Sequence, residues 1–202
     1  MMAIVNLKEL KPLQELTAKH IQVIEEFEEL LEQGISGLTM SDIAATLKVS
    51  LRTLYEIAPS KEHLITSTMD RMLTNIGQEA SASIQGIQSP LSKLKMYIDI
   101  GYEAVGPRIQ KFTLDLSKVR GVVEMLDYHR DYFIDRIEEL LDEAVKQKEI
   151  KDTDTRVVAI ALGGIARILS DPYYEGKLIL KDTPEASAHL VADLILDSLA
   201  RK

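Results

Sequence analysis

The chain has 202 residues, of which 46% are hydrophobic and 28% are charged. This ordinary globular balance excludes a disordered or fibrous protein. It contains no cysteine, which excludes a disulfide scaffold, a thiolate metal site and a cysteine nucleophile. The formal net charge is -8, and this argues mildly against non-specific nucleic-acid binding because such proteins usually carry a basic surface.

Neither an export signal nor a membrane span is predicted. Residues 1–9 lack a basic segment and mix charged with apolar side chains. The strongest apolar run, 157–166, is bounded by Arg156 and Arg167, and it falls well short of the roughly 20 residues that span a bilayer. We therefore expect a cytoplasmic protein that has no membrane partner.

Apolar residues recur at spacings of three and four along most of the chain, which predicts an all-α protein of about eight to ten helices. The first helix is expected to end at Gly34, where a left-handed residue is favoured. Two short helices, at 40–47 and 51–57, come next. A longer helix is expected to open at Ser60.

The rest of the chain also follows a helical pattern. Pro90 and Pro107 are expected at or near the starts of helices, and residues 122–148 form a long amphipathic helix. The next helix, at about 153–170, is apolar nearly all round, which predicts burial on more than one side. A last helix, at about 184–200, carries a second apolar stripe.

The most specific pattern lies at residues 38–55. Thr39 can cap a short helix, with Asp42 completing a shortened capping box. Val49 falls in a tight turn, and Ser50 can cap the next helix. Two short helices joined in this way predict a helix-turn-helix, whose second helix enters the DNA major groove.

In this stretch the sequence resembles the tetracycline-repressor (TetR/AcrR) family of bacterial transcription regulators. The matching residues follow the family order at fixed spacing, and they are Gly34, Thr39, Ile43-Ala44, Val49-Ser50, Thr53-Leu54-Tyr55 and Ser60-Lys61-Glu62-His63-Leu64. The resemblance implies a ligand-responsive dimer that binds a palindromic operator, most often as a repressor and not as an enzyme. It also implies that the last two helices form a four-helix dimer interface.

The domain organisation that follows has three parts. Residues 1–17 are an N-terminal extension, and residues 18–64 are the helix-turn-helix DNA-binding domain. Residues 65–202 are expected to form a helical bundle that binds the effector and dimerises.

Candidate DNA-binding residues come from the helix-turn-helix and from the start of the helix after it. They are Thr39, Ser41, Ser50, Leu51, Arg52, Thr53, Tyr55 and Lys61. Arg52 is predicted to read a guanine edge, whereas Tyr55 and Lys61 are predicted to contact phosphates. The alternatives are that Arg52 is only a solvated residue and that Tyr55 belongs to the core.

Two residues depart from the family pattern. Lys48 stands where the family often has Gly, which costs roughly 1 kcal/mol if φ is positive there. Glu56 follows the Tyr, where aromatic or His residues are common. Its charge would repel phosphate unless it points to solvent or accepts a hydrogen bond from a cytosine amine.

Aromatic residues, methionines and a histidine in the middle helices are candidates for an effector pocket. They are Met96, Tyr97, Phe112, Met125, Tyr128, His129 and Phe133. The pocket would suit an apolar or aromatic small molecule. Core packing is the alternative role for each of these residues.

Other functional classes have little support in the sequence. The four histidines lack metal-ligand spacing, and no phosphate-binding loop or nucleophile motif occurs, so we expect no metal, no cofactor and no enzymatic activity. Two alternatives to a DNA-binding regulator are a scaffold protein whose helix-turn-helix no longer binds DNA and a helical-bundle enzyme. The scaffold has only Glu56 and the acidic charge balance in its favour.

Overall fold

A computed structural model describes residues 16–35, 37–116, 119, 121–170 and 180–201, without the side chains of 104–115, 166, 167 and 170. These residues form eight helices, which are α1 (Ala18–Gln33), α2 (Met40–Thr46), α3 (Leu51–Ile57), α4 (Lys61–Ser83), α5 (Pro90–Leu116), α6 (Val122–Lys146), α7 (Thr155–Ser170) and α8 (Pro184–Leu199). Within the described ranges, extended pairing is limited to one isolated antiparallel bridge between Ile150 and Ala200. The predicted all-α class is confirmed.

The described chain separates into two compact units. The first lies within residues 1–73 and 114–127, and the second within 74–113 and 128–202. In the first unit the fully buried large side chains are Phe27, Ile43, Leu54, Leu64, Ile65, Met69 and Met125. Since they come from α1, α2, α3, α4 and the start of α6, the short helices α2 and α3 are held by a shared apolar core.

The core of the second unit draws on α4, α5, α6, α7 and α8. Its most deeply buried large members are Leu94, Tyr97, Ile98, Ile137, Leu140, Leu141, Ile150, Leu162 and Leu196. Small residues of α8, Ala188 and Ala192, are buried in the same cluster.

Helix α7 is buried on one side only within a single chain. Ala159 and Leu162 are buried, whereas Val157, Ile160 and Ile168 are exposed. The expectation of burial on more than one side is therefore not met inside the monomer, because the second apolar stripe of α7 has no covering element among the described residues of its own chain.

The adjacent glycines of α7 face different surroundings. A Cβ atom on Gly163 would overlap the side chain of Ile134 in α6, whereas one on Gly164 would meet nothing within 4 Å. Gly163 thus allows the close approach of α7 to α6.

The two prolines differ in their positions. Pro90 is the first residue of α5, as predicted, but Pro107 lies in the interior of that helix, so the prediction for Pro107 is wrong. A proline inside a helix removes one backbone donor, and its ring crowds the carbonyl of the residue four positions earlier. Helix α5 nevertheless runs through Pro107 to Leu116.

Among the described residues, no helix combines the length and the apolar character needed to cross a membrane.

Candidate nucleic-acid interface

The first helix of the helix-turn-helix, α2, is fixed by a complete capping box. The Thr39 hydroxyl accepts a hydrogen bond from the Asp42 amide at 3.2 Å and donates one to Asp42 Oδ2 at 2.6 Å. The Thr39 amide donates to the same carboxylate at 2.8 Å. These bonds from Thr39 lower the pKa of Asp42. The predicted cap is confirmed.

The turn between α2 and α3 is tight and contains a residue in the left-handed region. Lys48 has φ of 53°, which is the condition under which we expected strain. The Val49 amide donates to the Ala44 carbonyl at 3.0 Å and closes the turn. Ser50 then caps α3, since its hydroxyl accepts from the Thr53 amide at 3.0 Å.

Helix α3 turns one face to the core and another to solvent. Leu54 and Ile57 are buried, whereas Leu51 is exposed and Tyr55 is 52% exposed. The Arg52 side chain is 88% exposed. The outward face therefore offers a guanidinium and a phenol, and the core position considered for Tyr55 does not fit this exposure.

Thr53 lies on the inner side of α3 and requires a correction. It is 9% exposed, and its hydroxyl pairs with the Ser50 hydroxyl at 2.8 Å. Thr53 therefore supports the helix cap instead of presenting a group to DNA. Ser41 in α2, Ser50 and Thr39 are exposed, as DNA contacts would need to be.

Lys61, at the start of α4, has partners inside the protein. Its ammonium group donates to the Leu38 carbonyl at 2.6 Å and to the Ile35 carbonyl at 3.1 Å, in a partly buried position. Because an ammonium group has three protons, these bonds leave one for a further acceptor. Lys61 thus holds the segment before α2 in place, a structural role that the sequence did not reveal.

Glu56 is held by two neighbours. Its Oε1 accepts from Arg52 Nε at 2.9 Å, one turn earlier in α3. Its Oε2 lies 3.6 Å from His20 Nε2 of α1. The hydrogen bond from Arg52 is the main cause of the lowered pKa of Glu56.

Comparisons with known proteins agree with this geometry. Residues 27–68, which include the helix-turn-helix, match the model of the bacterial regulatory proteins, tetR family. This part of the chain is therefore similar to the DNA-binding region of the tetR family. No curated protein sequence matches it.

Several solved structures share the TetR-like fold over most of the chain. A transcription regulator of the family from Haloarcula marismortui has a TM-score of 0.75 at 15% identity and covers 92% of this chain and 100% of its own. The fatty acid degradation regulator FadR of Bacillus halodurans has a TM-score of 0.71 at 18% identity, with coverage of 93% and 100%. FadR of Bacillus subtilis, solved in complex with stearoyl-CoA, has a TM-score of 0.70 at 17% identity, with coverage of 89% and 99%.

The family match and the fold of the neighbours support a DNA-binding transcriptional regulator. The family and the structural neighbours are transcriptional regulators rather than enzymes.

The candidate effector residues differ in their burial. Tyr97 is buried and stacks on the half-buried Phe133 at 5.3 Å between ring centroids. Met96 and Tyr128 are exposed, and His129 meets Tyr128 edge-on at 5.4 Å.

The side chain of only one of the remaining two effector candidates is described. Met125 is buried in the first unit, and the Phe112 side chain lies outside the described residues. The sequence pattern thus mixed core positions with surface positions, because apolar spacing does not distinguish a packed interior from a pocket wall.

Other polar contacts in the second unit were not predicted. The Tyr102 hydroxyl donates to the Leu162 carbonyl at 2.6 Å, and the Tyr102 ring meets His189 edge-on at 5.3 Å. His189 Nδ1 lies 3.0 Å from the Asp99 carboxylate. Leu162 and His189 are 60 or more positions away from Tyr102 and Asp99 in the sequence, so no local signal could have shown these contacts.

A surface groove of about 530 Å³ lies in the first unit instead. It runs between α1 and the turn after α2, and Val23, Leu30, Leu47 and Val49 contribute apolar side chains to its walls. It is separate from the residues that were predicted to bind an effector.

Proposed function

We propose that this chain is a homodimeric, ligand-responsive repressor that binds a palindromic operator in double-stranded DNA. The observation that carries the proposal is the outward face of α3, where Arg52 and Tyr55 extend into solvent from a capped helix on a buried core. A recognition helix presented in this way fits the major groove, and its N-terminal residues meet base edges.

The candidate contacts divide into base reading and backbone binding. Arg52 is the base reader, because a guanidinium can bond guanine O6 and N7 together. Tyr55 binds a phosphate through its hydroxyl, and Lys61 contributes its remaining proton. The other contacts are Thr39, Ser41, Ser50 and Leu51, which are exposed or half-exposed around the same helix start.

The proposed dimer interface consists of the outer faces of α7 and α8. Leu190 and Leu194 of α8 are 60% and 64% exposed, and Val157, Ile160 and Ile168 of α7 are exposed as well. Exposed apolar side chains on two neighbouring helices favour a protein partner. A second copy fits best, because a two-fold axis pairs identical apolar faces into four helices. Such a dimer carries two recognition helices and requires an operator with two-fold symmetry.

We propose separate roles for three parts of the chain. Residues 18–64 bind DNA, residues 65–202 bind the effector and dimerise, and residues 1–17 are an extension. Helix α4 begins directly after the DNA reader and ends in the second unit. We therefore propose that effector binding shifts α4 and weakens DNA binding, which requires different effector affinities in two states.

The proposed effector is an apolar small molecule. A solved neighbour of similar fold binds stearoyl-CoA, which makes a long-chain acyl-CoA the first ligand to try, beside a panel of aromatic compounds. Thermal unfolding with each ligand, followed by DNA binding with and without the active ones, tests the proposal. A panel without any thermal shift or any change in DNA binding would contradict it.

We propose that the protein acts in the cytoplasm, where bacterial DNA lies. It would repress transcription by occupying its operator.

Selection of binding sites from a random oligonucleotide pool tests the DNA-binding function. We expect an enriched site with two-fold symmetry, and transcription in vitro from a promoter that contains this site should fall when the protein is added. Enrichment of no sequence would instead favour the scaffold alternative.

The scaffold alternative loses part of its support in the structure. It depended on Glu56 as a charge that repels DNA. Since Glu56 is bonded to Arg52 and lies close to His20, its carboxylate does not stand alone on the surface of α3.

A further inference from the structure

Glu56 stands beside the residue that we propose as the base reader. The bond from Arg52 Nε to Glu56 Oε1 joins positions i and i+4 of the same helix. Helix geometry brings such residues together on one face. Any orientation that Arg52 adopts toward DNA therefore depends on whether this bond persists.

The other side of Glu56 is backed by α1. His20 Nε2 lies 3.6 Å from Glu56 Oε2, and the His20 side chain is only 14% exposed. The Thr17 amide donates to His20 Nδ1 at 3.4 Å, and the Thr17 hydroxyl accepts from the His20 amide. Because Nδ1 acts as the acceptor, the hydrogen-bond pattern assigns the ring proton to Nε2, toward Glu56.

The bond to Glu56 leaves the recognising end of Arg52 available. A guanidinium has five N–H donors, of which Nε carries one. The other four belong to the two terminal nitrogens, the fork that can bond guanine O6 and N7 together. Arg52 can therefore read a guanine while it stays bonded to Glu56.

We infer that Glu56 is a positioning residue, which, backed by His20, orients Arg52 toward a guanine edge and raises the preference of the protein for its operator over other DNA. This inference rests on the proposed DNA-binding function. A side chain held in its bound orientation loses less conformational freedom on binding, so specific affinity rises. The carboxylate also offsets the Arg52 charge, which weakens attraction to phosphates of any sequence.

The test compares binding to the selected operator with binding to a scrambled duplex, at one salt concentration, by fluorescence anisotropy. Glu56→Ala should lower the ratio of specific to non-specific affinity about tenfold, which corresponds to about 1.4 kcal/mol and lies within the value of one bidentate base contact. Glu56→Gln, which keeps the shape but loses the charge, should lie between this variant and the wild type. Glu29→Ala is the matched control, because it removes the same charge from an exposed position of α1, and it should leave the ratio unchanged.

A second pair of variants tests whether Glu56 acts through Arg52. In the background of Arg52→Ala, adding Glu56→Ala should lower the ratio no further, since the residue that is positioned has gone. His20→Gln keeps a side chain that can complete the α1 capping box but removes the imidazole beside Glu56. This variant should lower the ratio by a smaller factor than Glu56→Ala.

Three results would overturn the inference. The ratio could stay at its wild-type value in Glu56→Ala, both affinities could fall equally together with the melting temperature, or the double variant could lose more preference than Arg52→Ala alone. If the wild-type protein selects no sequence from a random pool, the proposed function itself fails. A failure of the positioning role alone is recognised by a wild-type protein that still selects an operator.

Discussion

Helix α3 and the pair α7–α8 both leave large side chains exposed, but the chemistry of those side chains is opposite. On α3 the exposed groups include Arg52 and Tyr55, which carry hydrogen-bonding ends. On α7 and α8 they are Val157, Ile160, Ile168, Leu190 and Leu194, which carry none. The surface of α3 suits a polar, charged ligand. The surface of α7 and α8 is stabilised only when an interface removes it from water.

Exposure alone does not indicate what a surface binds; the chemistry of the exposed side chains does. The match to the tetR family covers residues 27–68, which contain α3. The faces of α7 and α8 lie outside that match. Their proposed role as a dimer interface therefore depends on the exposed apolar side chains alone, and single substitutions can test it directly.

The largest effect is expected from a charge placed on the apolar face. Leu194→Glu would bury an unpaired carboxylate in the proposed interface at a cost of at least about 3 kcal/mol. The dimer dissociation constant should therefore rise at least 100-fold, as measured by analytical ultracentrifugation. Leu194→Met is the matched control, because it keeps the volume and the apolar character, and it should remain dimeric. A wild-type protein that is monomeric at micromolar concentration would contradict the interface.

The next effect concerns the polar face of α3. Arg52→Ala should weaken operator binding by about 1–3 kcal/mol and relax the preference at one operator position, because a bidentate base contact is lost. Arg52→Lys keeps the charge but not the planar fork, so it should retain non-specific affinity and still lose discrimination. Repeating the oligonucleotide selection with each variant measures both quantities. Equal loss on specific and scrambled DNA would show that Arg52 does not read bases.

The sequence predicted the helix-turn-helix closely because its determinants are local. Thr39 with Asp42, and Ser50 at the start of α3, act over three residues, and the predicted range 51–57 is the observed one. Such caps are encoded by neighbouring residues and need no knowledge of the tertiary fold.

The features that the sequence did not predict depend on contacts across the chain. Lys61 bonds carbonyls more than 20 positions earlier, and Glu56 lies near His20 of another helix. Thr53 is buried by tertiary packing, which its residue type does not predict. Helical spacing also could not separate the buried Tyr97 from the exposed Met96 and Tyr128 among the effector candidates.

A smaller effect is expected where α7 meets α6. Gly163→Ala would force a methyl group against Ile134, and this overpacking should outweigh the helix propensity of Ala and lower the free energy of unfolding by about 1–2 kcal/mol. Gly164→Ala is the matched control, since its Cβ meets no atom within 4 Å in the chain. It should not destabilise the monomer. Urea unfolding at a protein concentration below the dimer dissociation constant compares the stabilities of the two variants. Equal destabilisation would show that Gly163 is not a packing residue.

Lys61 allows the structural and DNA-binding roles to be separated. Lys61→Ala removes two charged hydrogen bonds to Ile35 and Leu38, so the free energy of unfolding should fall by about 1–2 kcal/mol. The phosphate contact predicts in addition that the salt dependence of DNA binding decreases by about one contact per subunit. Lys61→Met keeps most of the side-chain stem and serves as the control for lost packing. An unchanged salt dependence would leave Lys61 with the structural role alone.

The smallest effect on the free energy of unfolding is expected at two lysines with positive φ, one in each unit. Lys48 has φ of 53° in the turn before α3, and Lys148 has φ of 61° after α6. A left-handed conformation costs a residue with a Cβ roughly 1–2 kcal/mol. Substitution by Gly removes this cost, but the higher conformational entropy of Gly in the unfolded state offsets part of the gain. Lys48→Gly and Lys148→Gly should therefore each raise the free energy of unfolding by less than about 1 kcal/mol. Only Lys48→Gly removes a positive charge from the turn before the recognition helix, so only this variant should also weaken DNA binding at low salt. Urea unfolding and anisotropy titrations measure the two effects, and equal DNA affinities of the two variants would show that the turn contributes no charge to the interface.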